Sequence, residues 1–183
     1  AARGDKRGVP GGRAAAGDGR VRGMGGTFEP AERELGETLG MQVLVIPTNR
    51  PVIRTDEPDL AFVDHATKHA AVANDVVERH AAGQPVLIGT RSIQESWEFS
   101  AQLDERGVPH EVLSAEHPER EASIVAAAGR VGAVTVATQM AGRGVDIRLE
   151  SDELGLMVWG LGHHPHRRLD AQLRGRSGRQ GDP

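Results

Sequence analysis

The most restrictive feature of this sequence is an alternation, from Asp64 onward, between short apolar runs and segments with helical periodicity. Helices are predicted at residues 67–82, 93–106, 118–128 and 167–173, and strands at residues 86–88, 110–113, 133–137 and 154–160. Strands and helices that alternate with connections of a few residues indicate right-handed βαβ units. The sequence therefore predicts an α/β fold, with a parallel β-sheet that carries helices on both faces.

The residues before this alternation have a different character. Residues 1–23 are rich in Gly, Arg and Ala without a hydrophobic period, which predicts a disordered leader. Residues 24–59 are interpreted as a connector, and residues 60–183 as the α/β domain. Within these segments, a short amphipathic helix is predicted at 29–39 and apolar strands at 41–46 and 60–63.

The helix at residues 93–106 is expected to begin after Ser92, whose hydroxyl can cap it. Its periodicity divides the side chains between two environments. Gln94, Glu95 and Glu98 are expected to face water, and Ile93, Trp97 and Leu103 to face the core. Trp159, in the last predicted strand, is also expected to lie in the core.

Charge and composition exclude several classes of protein. Residues 1–24 carry a formal charge of about +4 and residues 163–183 about +3, whereas the residues between them carry about −11. Such an acidic body is not typical of a general nucleic-acid binder. The absence of cysteine fits a reducing compartment, and no apolar run reaches the roughly 20 residues of a membrane span. A cytoplasmic location is expected, with any membrane association peripheral.

Ligands of parallel sheets bind outside the carboxyl ends of the strands, where the loop at residues 138–146 is predicted to lie. In this loop Gly142 and Gly144 flank Arg143, so backbone amides can approach a ligand closely and Arg143 can project towards it. Asp146 follows, where its carboxylate can accept a hydrogen bond from a ribose hydroxyl. The alternative interpretation is a turn whose Arg143 and Asp146 form a surface ion pair.

The C-terminal segment at residues 172–182 concentrates arginines between glycines. If it forms the end of a helix, Arg176 and Arg179 share a face that Gly175 and Gly178 leave bare. Guanidinium groups bind phosphate oxygens in pairs, so a pair of phosphate-sensing arginines is one interpretation, and a solvated basic tail is the other. The sequence contains no Gly-x-x-x-x-Gly-Lys-Ser/Thr phosphate loop.

Three histidines, His163, His164 and His166, are a weak candidate for metal binding. No cysteine or carboxylate cluster accompanies them in sequence, and adjacent side chains rarely point in the same direction. We therefore expect a polar loop here and no metal site.

The loop at 138–146 and the C-terminal segment resemble the fifth and sixth motifs of superfamily-two helicase-like motors. The fuller sequence resembles the SecA family of preprotein translocase ATPases, in matching order along the chain. The matching segments are residues 24–27, 45–56, 83–96, 133–147 and 172–183. Residues 138–140 and the His163-His164 pair are more similar to the accessory SecA paralogue of actinobacteria.

This resemblance implies a RecA-like fold of the P-loop NTPase type, forming the second nucleotide-binding domain of a two-domain motor. Residues 24–59 would then lead from a missing first domain. Asp146 would contact the ribose of ATP, with Gly142 and Gly144 beside it. The arginines Arg143, Arg176 and Arg179 would approach the phosphates as arginine fingers, and Gln172 would couple the nucleotide state to the partner domain.

The resemblance further implies ATP as cofactor, with Mg²⁺ held by the missing first domain. The implied partners are that domain, a preprotein and a membrane protein-conducting channel at the inner face of the bacterial plasma membrane. Nucleic acid is not expected. Without a phosphate loop, this segment alone is predicted to be inactive as an ATPase. Two alternatives stay open: the C-terminal half of a nucleic-acid helicase, and an inactive binding module derived from a motor, which the sequence of residues 160–164 would suit.

Overall fold

A computed structural model of the chain describes residues 23–113, 118–138, 146–151 and 153–183, with the side chains of residues 118–120 excepted. Its contacts divide the chain into two compact units, Ala1–Val45 and Ile46–Pro183. In the first unit, a single 3₁₀ turn at Glu29–Ala31 leads into helix α1, Glu32–Leu39. This confirms the helix predicted at residues 29–39. Helix α1 is followed by Gly40, whose φ of 61° is left-handed, as glycine allows at a helix terminus.

In the described residues of the second unit there are four parallel strands: β1 Val86–Thr90, β2 Glu111–Leu113, β3 Val134–Thr138 and β4 Met157–Gly160. They form one sheet in the order β2-β3-β1-β4, with Leu87 opposite Thr135 and Ile88 opposite Trp159. The helices are α2 His65–Ala81, α3 Ile93–Asp104, α4 Pro118–Ala127 and α5 Arg167–Arg174. The predicted α/β fold with a parallel sheet is confirmed.

Two apolar clusters lie on opposite faces of the sheet, because successive strand residues point to opposite sides. Helices α2 and α3 cover one face, where Phe99 and Val76 pack on Ile88 and Val136. The other face packs against α4, and Leu173 of α5 adds to that cluster. The sheet therefore has helices on both faces, as predicted from the alternation of the sequence.

The strands predicted at residues 41–46 and 60–63 are not found, and this part of the prediction is wrong. In the part of the chain that the structure describes, neither segment is a strand. Leu44 is 85% exposed and Val63 is 98% exposed. Apolar β-branched residues favour extended backbone, but a strand also needs a neighbouring strand to bond with, and neither segment pairs with the sheet.

Helix α3 begins after Ser92, whose Oγ accepts from the Glu95 amide at 3.1 Å, as predicted. The orientation of its side chains was predicted correctly only in part. Leu103 is buried, but Trp97 is 55% exposed and Ile93 is also exposed, whereas Glu95 is buried. The core stripe of this helix runs through Ser96, Phe99, Ser100 and Leu103, and Glu95 lies beside it, one turn before Phe99.

Trp159 packs against the first cluster, as expected, while its indole Nε1 donates to Asp75 Oδ2 at 2.7 Å. None of the described helices combines the length and the apolar character needed to cross a membrane.

Candidate functional site

The candidate site is built on the carboxyl edge of the sheet. Thr90, the last residue of β1, is opposite Thr138, the last residue of β3, and Gly89 is opposite Gly160 at the end of β4. Parallel strands that end in register send their following loops to the same edge. The loops that the sequence singled out therefore leave from neighbouring positions.

Asp146 and Arg179 meet in the structure, although 33 positions separate them. Arg179 Nη1 donates to Asp146 Oδ1 at 2.8 Å, and Gln180 Nε2 donates to Asp146 Oδ2 at 3.4 Å. Arg179 is held in place at Nε, which donates to the Gly175 carbonyl at 2.6 Å. Both charged side chains are about one-third exposed, at 36% and 37%, so a ligand can reach the pair from solvent.

Arg176 has a different environment from Arg179. It is buried, and it lines a small cavity together with Gln172, Leu173 and Thr138. The other lining residues are mainly apolar side chains of the second core cluster. Arg176 therefore places a permanent positive charge at the margin of the core, close to the end of β3.

The proposed shared helical face of Arg176 and Arg179 is not observed, because α5 ends at Arg174. Gly178 has a φ of 72°, and a Cβ there would lie 2.9 Å from the Cβ of Arg54. Backbone conformation and this close approach explain glycine at position 178, in place of the bare face that the sequence suggested. Gly142, Arg143 and Gly144 lie outside the described residues.

Residues 176–182 form a folded loop that is secured from two directions. The buried Asp182 accepts hydrogen bonds from the amides of Gly178 and Gln180, at 3.1 and 2.8 Å. Arg54 Nη1 donates to the carbonyls of Arg174 and Ser177, both at 3.1 Å. These contacts fix the backbone that carries the arginines.

Sequence reasoning missed the part played by residues 50–56, which it assigned to a connector. Arg50 Nη1 donates to the Gln180 carbonyl at 2.8 Å, and Arg54 Nε donates to Asp56 Oδ1 at 2.8 Å. The hydrogen bond from Arg54 is the main reason that the pKa of Asp56 lies below its ordinary value. The spacing Arg54-x-Asp56 predicts a local ion pair, but the carbonyl partners of Arg54 lie 120 and 123 positions away.

Helix α5 lies directly over the ends of β1 and β4. A Cβ at Gly89 would lie 2.5 Å from one Cδ of Leu173, and one at Gly160 would lie 3.3 Å from it. The two glycines thus let Leu173 approach the sheet closely. This packing sets the position of Gln172 and of the loop that follows α5.

The segment after β4 places His163 between two carboxylates. Its Nδ1 lies 3.1 Å from Asp170 Oδ2, and its Nε2 lies 2.9 Å from Asp59 Oδ2. The hydrogen bond with Asp170, followed by that with Asp59, raises the pKa of His163 above its ordinary value. The sequence did not show the contact with Asp59, because that residue lies 104 positions away.

Comparison with known proteins points to one family. The family model described as the SecA P-loop domain matches residues 51–154 and 150–183. The chain is 49% identical over 167 residues to the protein translocase subunit SecA of Clostridium tetani, which covers 90% of the chain and 20% of that relative. It is 50% identical to the protein of the same name from Thermotoga neapolitana, over 90% of the chain and 19% of that relative. The chain thus spans about a fifth of the length of these curated relatives.

Proposed function

Because the chain belongs to the SecA P-loop domain family, we propose that it is the second nucleotide-binding domain of an ATP-driven protein translocase. In this proposal it forms one wall of an ATP cleft, and a first nucleotide-binding domain forms the other. ATP binding and hydrolysis would open and close the cleft, and this movement would drive a preprotein through a membrane channel. The motor would act from the cytoplasm, bound peripherally to the inner face of the plasma membrane.

The contact between Asp146 and Arg179 carries the proposal. It brings the carboxylate of the fifth motif and an arginine of the sixth to one partly exposed position. A carboxylate there can accept from a ribose hydroxyl, while the guanidinium can bind phosphate oxygens. Within this ion pair, the charge of each group also offsets the charge of the other.

We assign distinct roles to the other residues. Arg176 stabilises negative charge that develops on the phosphates, together with Arg179 and Arg143. Gln172 lies on α5 between the cavity that Arg176 lines and the exposed surface, so it is assigned the coupling of nucleotide state to the neighbouring domain. Gly142 and Gly144 allow the backbone to approach the nucleotide.

The assignment of catalytic groups to the two domains is argued from the groups that the sequence contains. Phosphoryl transfer needs a cradle for the phosphates and a bound Mg²⁺, in addition to arginines. The 183-residue sequence has no phosphate loop. We therefore assign the phosphate cradle and Mg²⁺ to the first domain, and we expect no ATP turnover from residues 1–183 alone.

A chimera tests the proposal. The matching segment of the Thermotoga neapolitana relative is replaced by this chain, and the purified chimera is assayed for ATP hydrolysis and for preprotein transport into membrane vesicles. Both activities are expected. A matched chimera with Arg179→Ala should fold and lose hydrolysis, while one with Arg106→Ala should keep it, because Arg106 bonds to Asn74 and Gln102 away from the site.

Two outcomes would favour the other interpretations. A folded chimera that binds nucleotide without hydrolysing it would contradict the motor and indicate an inactive binding module. Tight, salt-dependent binding of single-stranded RNA by the chain would instead indicate a helicase half. The acidic balance of residues 25–162 argues against that second outcome.

A further inference from the structure

A second cluster of polar side chains lies between α2 and α3, and the nucleotide site does not use it. Among the residues that the structure describes, two buried side-chain atoms lack a hydrogen-bond partner: His69 Nε2 and Glu95 Oε1. They lie 3.9 Å apart, and both side chains are more than nine-tenths buried. Buried polar atoms usually have hydrogen-bond partners, so this pair offers two ligand atoms to a bound ion, although Lys68 and Arg91 lie 3.6 and 3.5 Å from Glu95 Oε1.

His65 completes the cluster. It precedes His69 by one helical turn on α2, so the two imidazoles lie on the same face of the helix. One ligand atom from each of His65, His69 and Glu95 lies within 4.8 Å of the others. In a tetrahedral zinc site, nitrogen and oxygen ligands lie about 3.4 Å apart, given metal–ligand distances of about 2.0–2.1 Å.

We propose that His65, His69 and Glu95 bind a divalent transition-metal ion such as Zn²⁺, with water as the fourth ligand. Two imidazoles and one carboxylate are a ligand set that Zn²⁺ takes with an open position. His65 is exposed, so its side chain can rotate to close the remaining gap. The burial of the other two ligands fixes them in advance.

The surroundings allow access from solvent. His65 and Glu95 also line a surface depression with Arg91, Ser92 and Glu98. The position of Glu95 is fixed at its second oxygen, Oε2, which accepts from the Arg91 amide at 2.8 Å.

Two cations compete with the metal. Lys68 Nζ lies 3.6 Å from Glu95 Oε1 and 3.4 Å from His65 Nδ1, and Arg91 Nη2 lies 3.5 Å from Glu95 Oε1. Lys68 also donates to the Leu161 carbonyl at 2.5 Å, so it keeps an acceptor when it leaves Glu95. Removing the lysine charge should therefore strengthen metal binding.

The test is a titration of the 183-residue chain, without an affinity tag, with Zn²⁺ by calorimetry and with Co²⁺ by absorption spectroscopy. One equivalent is expected to bind, with the visible bands of four-coordinate Co²⁺. Glu95→Gln and His69→Gln should each weaken Zn²⁺ binding at least ten-fold, and Lys68→Gln should strengthen it. The matched control is His164→Gln, which should leave the affinity unchanged.

The variant His65→Gln distinguishes loss of metal binding from loss of folding, because this exposed residue can be replaced without disturbing the core. It too should weaken binding at least ten-fold, with an unchanged melting temperature in the absence of metal. The proposal is overturned if all three ligand variants keep the affinity of the original chain, or if binding is lost only when His163, His164 and His166 are replaced. It does not depend on the ATP-driven role, since no nucleotide is present.

Discussion

Arg179 Nη1 and Asp146 Oδ1 are 2.8 Å apart, and each residue comes from a different motif at the carboxyl edge of the sheet. In the proposed function, the first binds phosphate and the second binds ribose. Both must therefore exchange their present partner for the nucleotide. An exposed ion pair contributes only about 0–1 kcal/mol, so this exchange costs little. The pair is thus suited to hold the two side chains ready without resisting the ligand.

Replacing Arg179 by alanine in the chimera is expected to lower kcat for ATP hydrolysis about a thousand-fold. An arginine that stabilises charge in the transition state for phosphoryl transfer contributes on that order. Steady-state hydrolysis at saturating ATP measures the effect. A loss of less than ten-fold would remove Arg179 from the list of phosphate-contacting residues.

Gly178→Ala is expected to destabilise the larger unit by about 2–5 kcal/mol. The left-handed backbone costs a residue with a Cβ about 1–2 kcal/mol, and overpacking against the Arg54 Cβ, 2.9 Å away, adds about 1–3 kcal/mol. Gly107→Ala is the matched control. Its φ of 67° is similar, but no atom lies within 4 Å of the added Cβ, so it should lose only about 1–2 kcal/mol.

Urea unfolding of both glycine variants and of the original chain gives the comparison. Equal losses at positions 178 and 107 would show that the contact with Arg54 adds nothing. The excess loss at position 178 should also disappear when Arg54 is replaced by glycine, because glycine lacks the Cβ that the added methyl group would contact.

Stability should depend on pH through His163. Because its pKa is raised in the folded state by Asp170 and Asp59, its stabilisation is present below the unfolded pKa and is lost as pH rises through the folded pKa. The urea midpoint of the original chain should therefore exceed that of His163→Gln at about pH 5.5, and the difference should vanish at about pH 8.5.

The carboxylates provide the control for this pH dependence. In a chain that carries Asp59→Asn and Asp170→Asn, replacing His163 should have the same effect at both pH values, since neither neighbour is charged. A difference between the original chain and His163→Gln that is constant from pH 5.5 to 8.5 would contradict the role of the two carboxylates.

The two tryptophans are expected to report different environments. Trp97 is 55% exposed, whereas Trp159 packs on the first core cluster and donates to Asp75. In Trp159→Phe, the fluorescence of the remaining Trp97 should be quenched several-fold more strongly by acrylamide than that of Trp159 in Trp97→Phe. Similar quenching constants would show that α3 does not turn Trp97 towards solvent.

Much of the fold followed from local patterns. Strands β1 and β3 are buried along their whole length and have short apolar sequences, and the helices carry recognisable caps such as Ser92. The fold depends on residues close in sequence and on one topological rule. The convergence of Asp146 and Arg179, which the structure places 2.8 Å apart, was implied only by the resemblance to the SecA family.

The features that were missed depend on distant partners. Residues 41–46 have the composition of a strand, but strand pairing requires a second segment that the pattern cannot identify. Glu95 was expected to face water, because a carboxylate is rarely buried. In the structure it is buried beside the Arg91 amide, which donates to it, and beside Lys68 from another helix. The sequence pattern does not show that these groups surround it. The spacing Arg54-x-Asp56 indicates the ion pair of Arg54 but not its bonds to carbonyl oxygens, which lie far along the chain.

The hydrogen bonds from Arg54 to the carbonyls of Arg174 and Ser177 have a mechanical consequence. They clamp the segment that enters the larger unit onto the loop that carries Arg176 and Arg179. A pull on residues 46–53 would therefore reach that loop through these two hydrogen bonds and through the one from Arg50 to the Gln180 carbonyl. Movement of residues 46–53 would therefore change the position of the loop that carries Arg176 and Arg179.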